Sequence, residues 1–508
     1  MKRILVIAGS DSSGGAGLEA DQKVIAAHGC YAMTATTALT AQNTQGVNAI
    51  HETPTDFVRK QIDACVEDVG VDVVKTGMLA SAGTVSLVAE SLRSHKITKS
   101  VVDPVMVSTS GHQLLATAAT KVLIHELLPE AYLVTPNIPE ANLILKEAGK
   151  PELEVDDLEG LKKLASALLS LGPAYVLLKG GHLPLTKQGK VAKEENEKEI
   201  VTNVLVGRDG STEVIELPFQ RSNNTHGTGC SLASAIACNL ARDEDIARAV
   251  RSACRYVEAA IRTSPNLGKG SGPLNHFHSI QVLPFASGNF IEYLLGRDDV
   301  KPVWHEYTHH EFCERMGDGT LPRETFKNYM IQDYLYLIQF ARANALASYK
   351  GMSLDDIAGG AAIVMHIRHE INLHIGECAE FGLTQEDMEK YEESQACTAY
   401  SRYILDVGQS QDWLALQVAL LPCLLGYGMI GRRLKDLQTT NPPKEPNAYL
   451  TWINNYVAED YTEAVKTGCA LIEKHAVHQS PKRIDELVKI FMHATRMETG
   501  FWAMANES

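Results

Sequence analysis

In the first half of the chain, short β-branched apolar runs alternate with stretches of helical period. The runs at 3–8, 71–75, 100–103, 131–135 and 174–179 each close on a Gly, Asp, Asn or Pro turn signal. That alternation predicts βα units on a parallel sheet, with ligands held by the loops at the carboxyl ends of the strands. Further along the pattern changes: 323–350, 356–381, 412–437, 447–475 and 481–505 carry apolar residues at helical spacing. The second half therefore reads as all-α. Between the halves, 263–288 is rich in Gly, Pro, Asn and His and has no period, which predicts a linker. The boundaries expected are a first domain at 1–278, a linker at 279–294 and a second domain at 295–508. Residues 186–199, TKQGKVAKEENEKE, are almost wholly polar and read as a surface flap or hairpin insertion.

Composition sharpens this division. A length of 508 residues exceeds one ordinary core, and 45% hydrophobic with 21% charged residues describes a folded protein. Of the 17 tyrosines, four precede residue 290 and thirteen follow it, as do all four tryptophans. A net charge of -15 leaves no diffuse basic surface for a phosphate backbone and argues against nucleic acid as a partner. Ten cysteines without CxxC pairing, and an N-terminus that reads as a first strand rather than an export signal, point to reduced thiols and a cytoplasmic location. Residues 413–431 are uncharged and long enough for a membrane span, but Gln417, Pro422 and the small residues near the end favour a buried helix, so no membrane is expected.

Candidate chemistry follows from the turns. Residues 12–17, SSGGAG, leave the first strand and enter a helical pattern, so their N–H groups either approach an anion or form a bare turn. The spacing is neither GxGxxG nor GxxxxGK[ST], which excludes the Rossmann and P-loop readings. Residues 224–230, NTHGTGC, carry more: Gly227 and Gly229 free three consecutive N–H groups where an apolar helix begins, an anion hole suited to a transferring phosphoryl group. Cys230 lies in the same field, which favours a thiolate able to take a proton from a substrate hydroxyl. The competing reading is a structural cysteine after a tight turn.

Seven motifs occur in order: AGSDSSGGAGLEAD (8–21), TALTAQNTQGV (37–47), KTGML (75–79), VVDPVMVSTSG (101–111), TPNIPEA (135–141), LKGGH (178–182) and NTHGTGC (224–230). Together they resemble the hydroxymethylpyrimidine/hydroxymethylpyrimidine-phosphate kinases of thiamin synthesis, in the ribokinase-like superfamily, over residues 4 to about 278. The resemblance implies an α/β three-layer sandwich using ATP with Mg²⁺. It places Gln42 on the aminopyrimidine edge, with Met78 and Val105 against the ring faces. Lys179 would neutralise the phosphates, Asn137 would orient phosphate or metal waters, and Thr225, Gly227, Thr228 and Gly229 would form the anion hole. Asp103 and Glu140 would hold Mg²⁺, and Cys230 would be the base where many relatives carry an aspartate.

In the second half, LLPCLLGYG sets Cys423 and Tyr427 one helical turn apart, with Pro422 permitting a kink that exposes the thiol. A cysteine among apolar residues otherwise reads as core. Asp333, Tyr456 and Glu498 likewise put polar groups where a core favours carbon. GDGTLPRETFKNYMIQDYLYL (317–337), LLPCLLGY (420–427), YLTWINNY (449–456) and METGFWAMA (497–505) resemble thiaminase II proteins of the TenA family, over about 295–505. The resemblance implies a haem-oxygenase-like helical bundle without a cofactor. Cys423 would add to the pyrimidine ring and Glu498 would protonate its nitrogen. Asp333 would bind the exocyclic amine, Tyr336, Tyr427 and Tyr456 would supply hydroxyls, and Phe501 would stack on the ring. One departure stands out: bacterial relatives often read TAYSY where this chain reads TAYSRY (398–403). Arg402 replaces a pocket tyrosine, so Tyr400 or Tyr403 rotates in or the pocket differs.

His366, His369, Glu370 and His374 lie near one helical face, a spacing that could recruit iron or zinc. It is not HExxH, and Cys423 with Glu498 argues for metal-free chemistry, leaving these four hydrogen-bonded structural roles. The combined expectation is a homo-oligomeric (dimer or tetramer) fusion enzyme of the yeast type. It would phosphorylate hydroxymethylpyrimidine and its monophosphate, and hydrolyse thiamin or aminopyrimidine breakdown products to hydroxymethylpyrimidine. Its partners would be these pyrimidines, ATP and thiamin. The alternative is a pyridoxal-type kinase joined to a non-catalytic helical binding or oligomerisation module.

Overall fold

In the computed structural model, which describes residues 1–106, 117–379, 381–440 and 446–506, the β-branched runs of the first half join one nine-stranded sheet. Its strands are β1 (Arg3–Asp11), β2 (Tyr31–Asn43), β3 (Gly46–Glu52), β4 (Val73–Thr76), β5 (Ser100–Val102), β6 (Leu133–Val134), β7 (Tyr175–Leu178), β8 (Ile200–Gly207) and β9 (Thr212–Pro218). They lie in the order β3-β2-β1-β4-β5-β6-β7-β8-β9. Pairing is parallel from β2 through β7 and antiparallel for β3, β8 and β9.

The central strands are apolar along their whole length because both faces are covered. In β1, Leu5 and Ile7 enter one core while Ile4, Val6 and Ala8 enter the other. Helices that include Ala82–Ser94, Ile138–Glu147 and Leu158–Leu169 close the first face. Gly17–Ala27, Thr228–Ala241 and Ile246–Arg262 close the second, which makes three layers. β1 has β2 on one side and β4 on the other, so a crevice opens beyond its carboxyl end, at Asp11. The polar insertion forms small bridges, Leu185 pairing with Val191 and with Ile200.

The chain divides into two compact units, Met1–Ile280 and Gln281–Ser508. The Gly- and Pro-rich segment expected as a linker is structured at both ends. Leu274 is buried in the sheet core, Ser271 N–H donates to Thr44 O at 2.9 Å and His226 N–H to Gly272 O at 3.1 Å. At the other end the helix Phe290–Gly296 buries Phe290 and Leu294 in the second unit, and Glu473 accepts its first N–H groups at 2.8 Å. That unit's ordered structure thus starts before residue 295.

The second unit is a helical bundle built chiefly from Arg323–Lys350, Leu354–Ala379, Gln395–Ser410, Trp413–Thr440, Glu459–Ala476 and Pro481–Met504. Trp413–Thr440 is long and apolar enough to cross a membrane, and 83% of its most apolar window is buried inside this bundle. The segment 447–475, expected as one helix, is two: Leu450–Asn455, then Glu459–Ala476 after Ala458 in extended conformation.

Candidate active sites

All twelve residues expected in the first site line one cleft of about 720 Å³ beyond the carboxyl ends of the strands. Its floor is the start of the helix Thr228–Ala241. Gly227 caps that helix at φ +80°, and a Cβ there would lie 1.9 Å from Gly15 O, so the two glycine-bearing loops touch backbone to backbone. The Thr228 N–H turns onto Thr225 O at 3.4 Å. Of the three N–H groups expected to be open, those of Gly229 and Cys230 remain in the first turn, where the helix dipole favours an anion.

Lys179 Nζ reaches this point from the end of β7, donating to Asp103 Oδ1 at 2.7 Å with Glu140 Oε2 at 3.9 Å. A Cβ at Gly229 would lie 3.1 Å from that ammonium, so the missing side chain lets the charge approach the helix start. Burial is the main force lifting the Glu140 carboxyl to about 7, with Asp103 adding to it and Lys179 opposing. Two carboxylates against a lysine suit a hard cation that keeps water and phosphate oxygens among its ligands. Asn137 differs from expectation: its side-chain carbonyl accepts the Glu140 N–H at 2.8 Å while Glu140 Oε2 accepts the Asn137 N–H at 2.8 Å, a capping box for Ile138–Glu147. Only its amide N–H groups remain to meet a ligand.

Cys230 also departs from expectation. Burial pushes the thiol up to about 11, with Asp21 and Asp103 adding to it while Lys75 and the Gly17 N–H oppose, so no thiolate is poised. Beneath it lies a pair that sequence reasoning left without a role: Lys75 Nζ, fully buried, donates to both Asp21 oxygens at 2.8 and 2.7 Å. Ser234, one helical turn after Cys230, donates to Asp21 at 2.8 Å. Met78, Val105 and Gln42 line the same cleft. The Gln42 amide sits 3.2 Å from His226 Nε2, itself 2.8 Å from Asp11 Oδ2. Asp11 and His226 were also missed; both lie inside quoted motifs, but only their proximity in space reveals the pairing. Residues 107–111 of the fourth motif lie outside the described residues.

In the second unit the expected residues converge on a buried aromatic chamber. Glu498 accepts a hydrogen bond from Tyr400 Oη at 2.8 Å, and burial lifts its carboxyl to about 8 despite that bond. Burial raises the Cys423 thiol well above its ordinary value, with Glu498, Glu370 and Asp333 adding negative charge. The Tyr336 hydroxyl is buried beside the Tyr400 hydroxyl and the Cys423 thiol. The Tyr336 ring stacks on Tyr400 at 5.0 Å and tilts against Phe501 at 5.4 Å, while Tyr427 and Tyr456 meet at 5.0 Å. Pro422 interrupts the hydrogen-bond ladder of the central helix, and Tyr461 Oη donates to Leu424 O at 3.1 Å.

Arg402 turns away from this chamber to Glu393 at 3.1 Å; Tyr400 supplies the hydroxyl, while Tyr403 packs on His493. Asp333 Oδ2 lies 2.6 Å from His374 Nε2 and accepts from Tyr329 Oη at 3.1 Å. Burial pulls His374 down, but Asp333 outweighs it and holds the imidazole at about 9. Glu370 accepts from Tyr456 Oη at 3.0 Å. Two of the four residues weighed as metal ligands are thus part of the chamber's hydrogen-bond network. Among the described residues no group of three or more His, Cys, Asp or Glu is arranged to hold a metal ion, and the His369 side chain lies outside them.

Comparison with known proteins matches both units. Residues 11–275 match the phosphomethylpyrimidine kinase family and residues 297–508 the TENA/THI-4/PQQC family. A Schizosaccharomyces pombe protein bearing a hydroxymethylpyrimidine/phosphomethylpyrimidine kinase name is 43% identical over 98% of this chain and 90% of its own. Hydroxymethylpyrimidine/phosphomethylpyrimidine kinase THI20 of Saccharomyces cerevisiae is 35% identical over 99% of this chain and 95% of its own. A crystal structure of phosphomethylpyrimidine kinase from Clostridium difficile 630 is 38% identical and aligns with a TM-score of 0.43, covering 51% of this chain and all of that one. The chain belongs to the family in which a phosphomethylpyrimidine kinase unit is fused to a TenA unit.

Proposed function

We propose that the first unit transfers the γ-phosphoryl group of ATP to the hydroxymethyl oxygen of 4-amino-5-hydroxymethyl-2-methylpyrimidine, and then to its monophosphate. The second unit hydrolyses thiamin or aminopyrimidine breakdown products, returning the same alcohol. The observation that carries this reading is the presence in one chain of a helix-start anion hole facing Lys179 and of a partly buried thiol beside a carboxyl lifted to about 8.

In the kinase site, Gln42 holds the ring edge and the N–H groups of Gly229 and Cys230, with Lys179, stabilise the charge spread over the phosphoryl oxygens. Phosphoryl transfer of this kind is loose and asks little of a base, which agrees with a Cys230 thiol pushed up to about 11. Magnesium, when bound by Asp103 and Glu140, supplies further charge neutralisation at the phosphates. In the second site Glu498, protonated at neutral pH, gives its proton to the ring nitrogen. The carboxylate so formed takes the thiol proton as the Cys423 sulfur adds to the activated ring; the group on the methylene leaves, water adds to that carbon and gives up a proton, and the carbon–sulfur bond then breaks to return the thiol and the aromatic ring. Asp333, ion-paired to His374, is held as an acceptor for the exocyclic amine.

The protein acts in the cytoplasm as a homo-oligomer. Support for self-association comes from Tyr349, Met352, Leu354, Ile357 and Met365, exposed apolar residues at the end of the helix Arg323–Lys350, in the turn after it and on the helix Leu354–Ala379. The pyridoxal-type alternative is the less supported, because relatives along the whole chain carry the hydroxymethylpyrimidine name. A substrate panel with and without ATP tests the reading. Pyridoxal turned over faster than hydroxymethylpyrimidine would overturn the kinase half, and thiamin and aminomethylpyrimidine hydrolysis surviving Cys423→Ala would overturn the other.

A further inference from the structure

Asp11, at the end of β1, accepts hydrogen bonds from Ser13 N–H (2.9 Å), Ser13 Oγ (2.7 Å), Gly15 N–H (3.2 Å) and Ala16 N–H (2.8 Å). Burial alone would raise its carboxyl, but these donors and His226 hold it at about 2, so it is a carboxylate and only an acceptor. His226 Nε2, 2.8 Å from Asp11 Oδ2, must therefore carry the hydrogen. The same Nε2 is 3.2 Å from one end of the Gln42 amide. Two N–H groups facing each other repel, whereas an amide oxygen at 3.2 Å can share the one Nε2 hydrogen whose nearer acceptor is Asp11, so the end turned toward His226 is the amide oxygen.

The other end leads to the same orientation by a separate route. Thr40 Oγ1 lies 3.3 Å from it, and the single Thr40 hydroxyl hydrogen is already given to Ser10 O at 2.8 Å. Thr40 Oγ1 can only accept there, which requires the amide NH2. The ends of a side-chain amide are assigned by their partners, and both partners of Gln42 agree.

We infer that His226 is a positioning residue that fixes the order in which Gln42 offers its acceptor and its donor to the substrate ring, and so selects a 4-amino over a 4-oxo pyrimidine. The inference rests on Gln42 reading a pyrimidine edge as proposed above. After meeting His226 and Thr40, the amide retains one lone pair and one hydrogen side by side. A 4-aminopyrimidine offers the complement, a ring-nitrogen acceptor beside an amine donor. A 4-oxo analogue offers the reverse and is met only if the amide turns over, which costs its bonds to both neighbours.

The test compares phosphorylation of hydroxymethylpyrimidine with that of its 4-oxo analogue by the full chain. In the wild type the 4-amino compound is preferred by about a hundredfold or more in kcat/KM. His226→Leu is expected to cut that preference by about tenfold. The change should fall on the KM of the pyrimidine and not on that of ATP, and His226→Gln, which keeps a donor, should restore it. An unchanged preference in His226→Leu beside a uniform loss of rate would overturn the inference. A ¹⁵N spectrum of the histidine rings in the wild-type chain decides the point without a variant: a protonated His226 Nε2 near neutral pH supports it and a bare Nε2 overturns it. Failure of the wild type to turn over either compound would fall on the kinase reading, while the nitrogen spectrum would still judge the orientation.

Discussion

Replacing Gly227 by alanine isolates the contact between the two glycine-bearing loops. An alanine at φ +80° pays about 1 kcal/mol of backbone strain, and its Cβ would lie 1.9 Å from Gly15 O. Ordinary contact begins near 3.4 Å, so the loops must part by about 1.5 Å, which moves the Gly229 and Cys230 N–H groups relative to Lys179. Misplacement on the order of 1 Å costs about a hundredfold in rate, and that is the loss expected in the kcat for phosphorylation. Gly189→Ala is the matched control, since Gly189 has φ +75° and no atom within 4 Å of a Cβ. It pays the same strain without the collision and is expected to keep phosphorylation within about twofold. Both variants are assayed for thiamin and aminomethylpyrimidine hydrolysis, which reports folding of the second unit and should not change. A Gly227→Ala chain that phosphorylates within about threefold of the wild type would refute the packed anion hole.

Lys179→Ala should lower phosphorylation by about a thousandfold in an ATP-dependent assay and leave hydrolysis untouched. Hydrolysis should fall as the pH rises through about 8, because the protonated Glu498 does the work; Glu498→Gln should remove that limb along with most of the activity. The fold shares this preference: stability contributed by protonated Glu498 is complete below the ordinary carboxylate range and lost as the pH climbs to about 8, so Glu498→Gln should flatten that slope in thermal melts. Asp333→Asn leaves His374 without its charge partner and should destabilise the second unit by about 3 kcal/mol in urea unfolding.

The fold class was readable because β1, β4, β5, β6 and β7 are buried on both faces and so appear as bare apolar runs. β2, with its Thr and Ala residues, and the edge strands β3 and β9 expose polar side chains and made no such signal, while in β8 the buried Thr202 and Asn203 interrupt the apolar run. Glycine and proline between 263 and 288 read as a linker, yet Ser271 and Gly272 pair with Thr44 and His226 on the wall of the site, a contact between distant segments that no local pattern encodes. The motifs located Cys230, Cys423 and Glu498 but not their protonation, which burial sets. The helix field on Cys230 was visible in sequence, whereas the carboxylates of Asp21 and Asp103 around it were not. The Asp333–His374 bond spans 41 residues between consecutive helices and the Glu370–Tyr456 bond 86, separations no local pattern reads, so His374 and Glu370 looked like a weak metal pattern until the bundle brought them to the chamber.

The proposed pairing of activities has one chain both release and phosphorylate the same alcohol. Its most direct test supplies the purified protein with aminomethylpyrimidine and ATP and follows the products by mass spectrometry. Hydroxymethylpyrimidine should appear first and then its mono- and diphosphates, with Cys423→Ala blocking every product from aminomethylpyrimidine yet still phosphorylating added hydroxymethylpyrimidine. Phosphorylated product formed from aminomethylpyrimidine by Cys423→Ala, or none formed by the wild type, would contradict it.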